Sequence, residues 1–173
     1  MAITVGTDTY ISLADANTYV SANYASTEAL RVSWSALSDA DKESYLRKAC
    51  KKLDRQILIG QKAVTTQTLQ FPRAWKTPYF YNQNIPTTVY YQGDYTVESA
   101  VATEVKDAQV EEALSLIGGV SDRITLQREG VKSFSLGSLS ETFDGSKKSA
   151  QELTSDEARE FLKFYILGCV EIV

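Results

Sequence analysis

The sequence contains no histidine. That removes the side chain most often used as a general base near neutral pH, and the commonest metal ligand. Cysteine is scarce too: Cys50 and Cys169 are too few for a zinc site without unusual carboxylate ligands. Each lies on an apolar helical stripe, which suits free buried thiols in a reducing cytosol better than a disulfide. Excess positive charge is also missing. The 18 Lys and Arg stand against 22 Asp and Glu, a net charge of −4, so no general attraction to nucleic acid is expected. Nor is there a long apolar run. The longest, FLKFYILGCVEIV, is interrupted by Lys163 and Glu171 and is too short to span a bilayer. The start of the chain has no charged segment leading into an apolar one, so no signal peptide is expected. These absences predict a protein made in the cytoplasm, with no enzyme activity, cofactor, metal or membrane span.

Two patterns that could carry chemistry fail on inspection. GSKKS at Gly145–Ser149 looks like the tail of a phosphate-binding loop, but the upstream glycine and the strand-to-helix context are missing. The acidic residues form no calcium-loop pattern. Asp39 and Asp41 read as helix caps, and Glu111 and Glu112 as a solvated helix face.

What is present is helical. At 173 residues the chain suits one domain with a real core. Leu46, Ala49, Cys50, Leu53 and Ile57 form one apolar stripe on a helix from Asp39 to about Ile57, with Ser38 as N-cap. The opposite face carries Lys48, Lys51, Lys52 and Arg55. Those cations could be solvated or paired with acidic neighbours, could face an acidic partner, or could hold phosphates while Trp75 or nearby tyrosines stack on bases.

Before this helix, a short extended arm leads to a Ser12/Asp15 capping box and the stripe Leu13, Ala16, Tyr19 and Val20. A shorter helix covers Thr27 to Ala36, with Leu30 and Trp34 on one face. Beyond Gly60 the pattern breaks, and Pro72 forces Phe71 to be extended.

A tyrosine-rich insertion at about 77–99 contains Tyr79, Phe80, Tyr81, Tyr90, Tyr91 and Tyr95. Aromatic, neutral segments of this kind suit an interface; the other reading is a flap packed on its own core. A long helix follows from about Val101 to Ile117, stopped by Gly118-Gly119. Polar and apolar residues then alternate through about 123–143, including Val131, Phe134 and Leu136, as in a β-hairpin or extended excursion. Thr154 and Glu157 read as the capping box of a last helix. Its stripe is Ala158, Phe161, Leu162, Tyr165 and Cys169, but Phe164, Ile166, Leu167 and Val170 make it apolar nearly all round. Such a terminus is either central to the core or buried on another subunit. The predicted fold class is therefore mainly α: a small helical bundle with a protruding β-hairpin or extended excursion and an aromatic loop insertion, in one domain over 1–173.

YISLADANTYV, SDADKESYLRKACKKLD, LQFPRAW, EVKDAQVEEALSLI and GVKSFSLGSLSETF occur in that order ahead of the terminal helix. Together they resemble the tailed-phage head–tail connector (adaptor) proteins, a sequence group that also carries the label of DnaT-like single-stranded-DNA-binding proteins. The tyrosine-rich insertion departs from that pattern. The resemblance implies a structural virion protein at the neck, forming a homo-oligomeric, dodecameric ring. Its implied partners are the portal protein on one side and a tail-completion (stopper) or tail-terminator protein on the other. Double-stranded DNA would pass through the lumen without tight binding. The candidate interface then comprises the six aromatic residues of the insertion, Val131, Phe134 and Leu136 of the excursion, and Phe161, Phe164, Tyr165, Ile166 and Leu167 of the terminus. The alternative is a single-stranded-DNA-binding protein of phage replication, using the basic helix face. Salt separates the two, because lysine–phosphate binding weakens steeply with added salt and apolar ring contacts do not.

Overall fold

Helices supply most of the regular structure in the computed structural model, which describes residues 2–76, 95–118, 133–136, 139–142 and 153–166. Helix α1 (Leu13–Asn23) and helix α3 (Asp39–Leu53) start alike. Ser12 Oγ accepts the Asp15 N–H at 3.1 Å, and Ser38 Oγ accepts the Asp41 N–H at 3.2 Å. Each serine hydroxyl also donates to that same aspartate's carboxylate, so the serine satisfies an orphan amide and holds a negative charge at the positive helix end, where it is stabilising. Helix α2 (Ala29–Ala36) begins two residues later than the Thr27 expected, because the Glu28 carboxylate bends back to the Ala25 N–H instead of capping forward.

Helix α4 (Thr103–Ile117), more than α3, is the element on which the rest is assembled; it packs on α1, α2, α3 and α5 (Asp156–Phe161). The core has two parts, and the α3–α4 pair supplies both. Leu46 and Ala49 of α3 meet Val110, Ala113 and Leu114 of α4 beside Ile11, Val20 and Trp34. One helical turn further on, Cys50 and Leu53 meet Val105 and Ala108 beside Tyr10, Phe71, Ala158 and Leu162.

The α4 residues read as a solvated face are buried. Glu111 is 6% exposed and Glu112 0%. Glu111 accepts the hydroxyls of Tyr19 (2.8 Å) and Tyr24 (2.6 Å), which fastens α1. Glu112 accepts Lys52 Nζ at 2.6 Å and the amides of Thr154 and Ser155 at 2.8 and 3.0 Å, which fastens the start of α5. Just before these anchors in α4, Gln109 accepts the Tyr10 N–H and donates to the Leu46 carbonyl. Each buried polar group therefore has its partners, as burial requires.

Two boundaries move. The stripe of α3 stops at Leu53, and Ile57 lies 72% exposed beyond it. The last helix is capped by Ser155, whose Oγ accepts the Ala158 N–H, and not by Thr154, whose hydroxyl is taken by Lys52 Nζ. It is one short helix, followed by turns that bring Ile166 alongside Leu58 and the Ile59 N–H to the Tyr165 carbonyl at 2.8 Å.

Sequence reasoning missed a three-stranded antiparallel sheet: β1 (Gln61–Lys62), β2 (Arg73–Lys76) and β3 (Tyr95–Val97), in that order. Ala74 pairs with both Gln61 and Val97. The sheet is pinned by Arg73, 4% exposed, whose guanidinium donates to the carbonyls of Ile59, Gly60 and Gln70. Gly60 has a positive φ of 70°, and a Cβ there would lie 2.3 Å from the Ala74 carbonyl oxygen, so only glycine fits this turn. Within the excursion, β4 (Ser133–Leu136) and β5 (Leu139–Thr142) form the expected antiparallel hairpin, with Leu136 opposite Leu139. No other described helix or strand packs on it beyond a marginal contact.

Candidate nucleic-acid interface

An α-helix turns by about 100° per residue, which sorts the three cations Lys48, Lys51 and Lys52 of α3 and Arg55 in the turn that continues it. Lys48, Lys51 and Arg55 fall on the outward arc and are exposed, and none has an ion-pair partner among the described residues. Lys48 Nζ rests 5.1 Å from the Tyr45 ring centroid. Lys52 falls at the edge of the apolar stripe. Its side chain is only 15% exposed and its ammonium is held by Glu112 and the Thr154 hydroxyl. It is an internal strut, and the basic row has three members where the sequence suggested four. From Lys48 to Lys51 the row rises about 4.5 Å along the axis, at about 1.5 Å per residue, and Arg55 follows from the turn past Leu53.

Beside the row, between α3 and the turn of the N-terminal arm, lies a cavity of about 340 Å³. Arg47, Lys51 and Arg55 supply its positive rim, Thr7, Asp8 and Asp54 its acceptors, and Cys50 and Leu69 its apolar wall. Arg47 belongs to this face, one turn before Lys51, and is paired with Glu43 at 3.7 Å. Sequence reasoning passed over it, although its i, i+4, i+8 spacing with Lys51 and Arg55 was there to be read. The arm turn is held by Asp8, whose carboxylate accepts the Thr4 N–H at 3.0 Å. Asp54 accepts the Tyr10 hydroxyl proton, and burial raises its pKa above the usual carboxylate value. Tyr10 in turn accepts the amides of Gln70 and Phe71. Burial beside Asp54 pushes the Cys50 thiol up as well, which keeps it protonated and a poor nucleophile.

The other candidate interface residues disperse. Phe164 is 85% exposed. Phe161 and Ile166 are half-buried against the core. Tyr165 is structural: its ring meets Phe71 edge-on at 4.9 Å, and its hydroxyl donates to Glu98 at 2.5 Å. Tyr95 sits in β3 opposite Lys76, and in the hairpin Phe134 lies opposite Glu141. Tyr79, Phe80, Tyr81, Tyr90, Tyr91, Val131, Leu167 and Cys169 lie outside the described residues. Among the described residues no helix is long and apolar enough to cross a membrane, and no cluster of three or more cysteine or acidic side chains is arranged to hold a metal ion.

Compared with known proteins, residues 1–172 match the family model described as "Putative DnaT-like ssDNA binding protein". No curated protein and no solved structure matches the chain.

Proposed function

The chain belongs to the DnaT-like ssDNA-binding family, and on that footing we propose that it binds single-stranded DNA through the outer face of α3. The observation that carries this reading is the row Lys48, Lys51 and Arg55, exposed on successive turns and free of carboxylate partners among the described residues. Three phosphate contacts on a single strand give a logarithmic salt slope of about −2. That is a weak, sequence-tolerant grip. Useful affinity then comes from several copies engaging one strand, each tethered close to the next. The test is a titration of labelled oligonucleotide at about 50 and 200 mM salt, beside a variant with all three residues changed to alanine. Binding that weakens about twenty-fold across that range and is lost in the variant supports the reading. Salt-independent binding, or binding unchanged in the variant, refutes it.

A second reading, the head–tail connector, is favoured by one observation. The β4–β5 hairpin has little packed on it among the described elements, and its Ser133, Ser135 and Thr142 are exposed. A lone two-stranded hairpin is marginal in water, so a neighbouring subunit is a natural partner for it. On this reading the protein forms a ring at the virion neck, between a portal and a stopper or tail terminator, and has no enzyme activity. Electron microscopy of particles and of the purified protein tests it. A ring at the head–tail junction supports it, and a monomer absent from particles refutes it.

A further inference from the structure

The cavity beside α3 carries both signs of charge. A bare phosphate would meet the carboxylates of Asp8 and Asp54 as well as the cations, and an apolar ligand would strand all of them. The ligand complementary to such a site has an anion at one end and hydrogen-bond donors at the other. At about 340 Å³ the space lies near the lower bound for small-ligand pockets, enough for one small unit of a polymer. Its position fixes which end goes where. Lys51 and Arg55 belong both to the cavity rim and to the outward row, so a backbone running along the row leaves its phosphate on them. A base turned inward then meets Asp8 and Thr7 against the Leu69 wall.

We propose that this cavity is a base-reading subsite, which takes one nucleotide of the bound strand and prefers a base bearing an exocyclic amine. A carboxylate accepts from the cytosine N4 amine, as Asp and Glu do in base readout; adenine N6 and guanine N2 present similar donors, whereas thymine has no exocyclic amine and offers only its ring N3–H. Asp8 is the positioned acceptor. Asp54 is committed to the Tyr10 hydroxyl, and Asp8 has its other partner in the backbone amide of Thr4, which holds the carboxylate at the rim. The inference rests on the single-strand reading above and adds selectivity to it.

The experiment compares oligo-dC, oligo-dA and oligo-dT of equal length by fluorescence anisotropy at low salt, with wild type, Asp8→Asn and the Lys51→Ala/Arg55→Ala pair. The expected result is tighter binding of dC and dA than dT by roughly two- to ten-fold, the worth of one hydrogen bond. In Asp8→Asn that preference shrinks, while the dT affinity holds or rises with the loss of a negative charge. Thermal melting of each variant confirms that it is folded. The lysine–arginine pair loses affinity for all three oligomers alike. Equal affinity of wild type for the three, or a preference unchanged in folded Asp8→Asn, overturns the subsite and leaves backbone binding standing. No binding of any oligomer overturns both.

Discussion

Replacing Glu112 by glutamine changes almost no volume and removes one charge from the inside of the protein. The carboxylate is fully buried and takes three donors: the Lys52 ammonium and the amides of Thr154 and Ser155. Glutamine offers a single acceptor oxygen, and turns its own N–H groups toward donors. The Lys52 side chain, 15% exposed, is left without its counter-charge. Breaking a buried ion pair from one side costs about 3–5 kcal/mol. Lys52 can still lean toward water and keep the Thr154 hydroxyl, which places the cost near the lower bound, about 3 kcal/mol. For a chain of this length each kcal/mol moves Tm by about 2–4 °C, so the expected fall is about 6–12 °C. The loss has an address. Residues 153–162 should gain amide exchange first, because Glu112 holds the start of α5, while α1, held by Glu111, should be little changed. Calorimetry with exchange mass spectrometry measures both. A Tm within about 1 °C of wild type, or loosening spread evenly over the molecule, would show that Glu112 does not fasten α5. The double change Lys52→Met/Glu112→Gln should recover part of the loss, since no unpaired charge is then left inside and the glutamine oxygen can still accept from the Thr154 or Ser155 amide.

Gly60→Ala should cost about 2–3 kcal/mol, from a positive φ and a Cβ in the place of the Ala74 carbonyl; an unchanged denaturant midpoint would refute the turn geometry. Phe164→Ser should leave monomer stability within about 0.5 kcal/mol, as expected of an exposed site, yet lower the mass of any assembly seen by light scattering if the terminus is an interface. Asp54 should make stability pH-dependent. Its folded pKa is raised by burial, so its favourable contribution is complete below the unfolded value of about 4 and is lost as pH rises through the folded pKa. Wild type should therefore exceed Asp54→Asn in stability by more near pH 4 than at pH 7, and a gap independent of pH would count against the burial.

The helices were legible where the signal was local. Ser12 and Ser38 announced α1 and α3 through bonds to residues three positions on, and the apolar period gave the buried faces of α3 and α4. What the sequence hid depends on distant partners. Glu111 and Glu112 look solvated until Tyr19, Tyr24, Lys52 and Thr154 arrive from elsewhere in the chain. The sheet escaped because β1 and β3 span two and three residues, too short for an alternating pattern to register. The site was half legible. Lys48, Lys51, Lys52 and Arg55 were named, and pairing with an acidic neighbour, which Lys52 makes with Glu112, was among the readings open to them; Arg47 and Asp8 were passed over, since the cavity exists only once the arm turn lies against α3.

That one helix holds the arm, α1 and α5 has a consequence for how the protein is made. Gln109, Glu111 and Glu112 are synthesised only after the arm and the first three helices. At roughly 5–20 residues per second, the arm emerges from the ribosome about 5–20 seconds, and α3 about 3–13 seconds, before the helix that clamps them. During that interval Leu46, Leu53 and Trp34, all buried in the finished molecule, have no α4 to cover them. The nascent chain is then most open to chaperones, and most exposed to pairing with a neighbour on the same message.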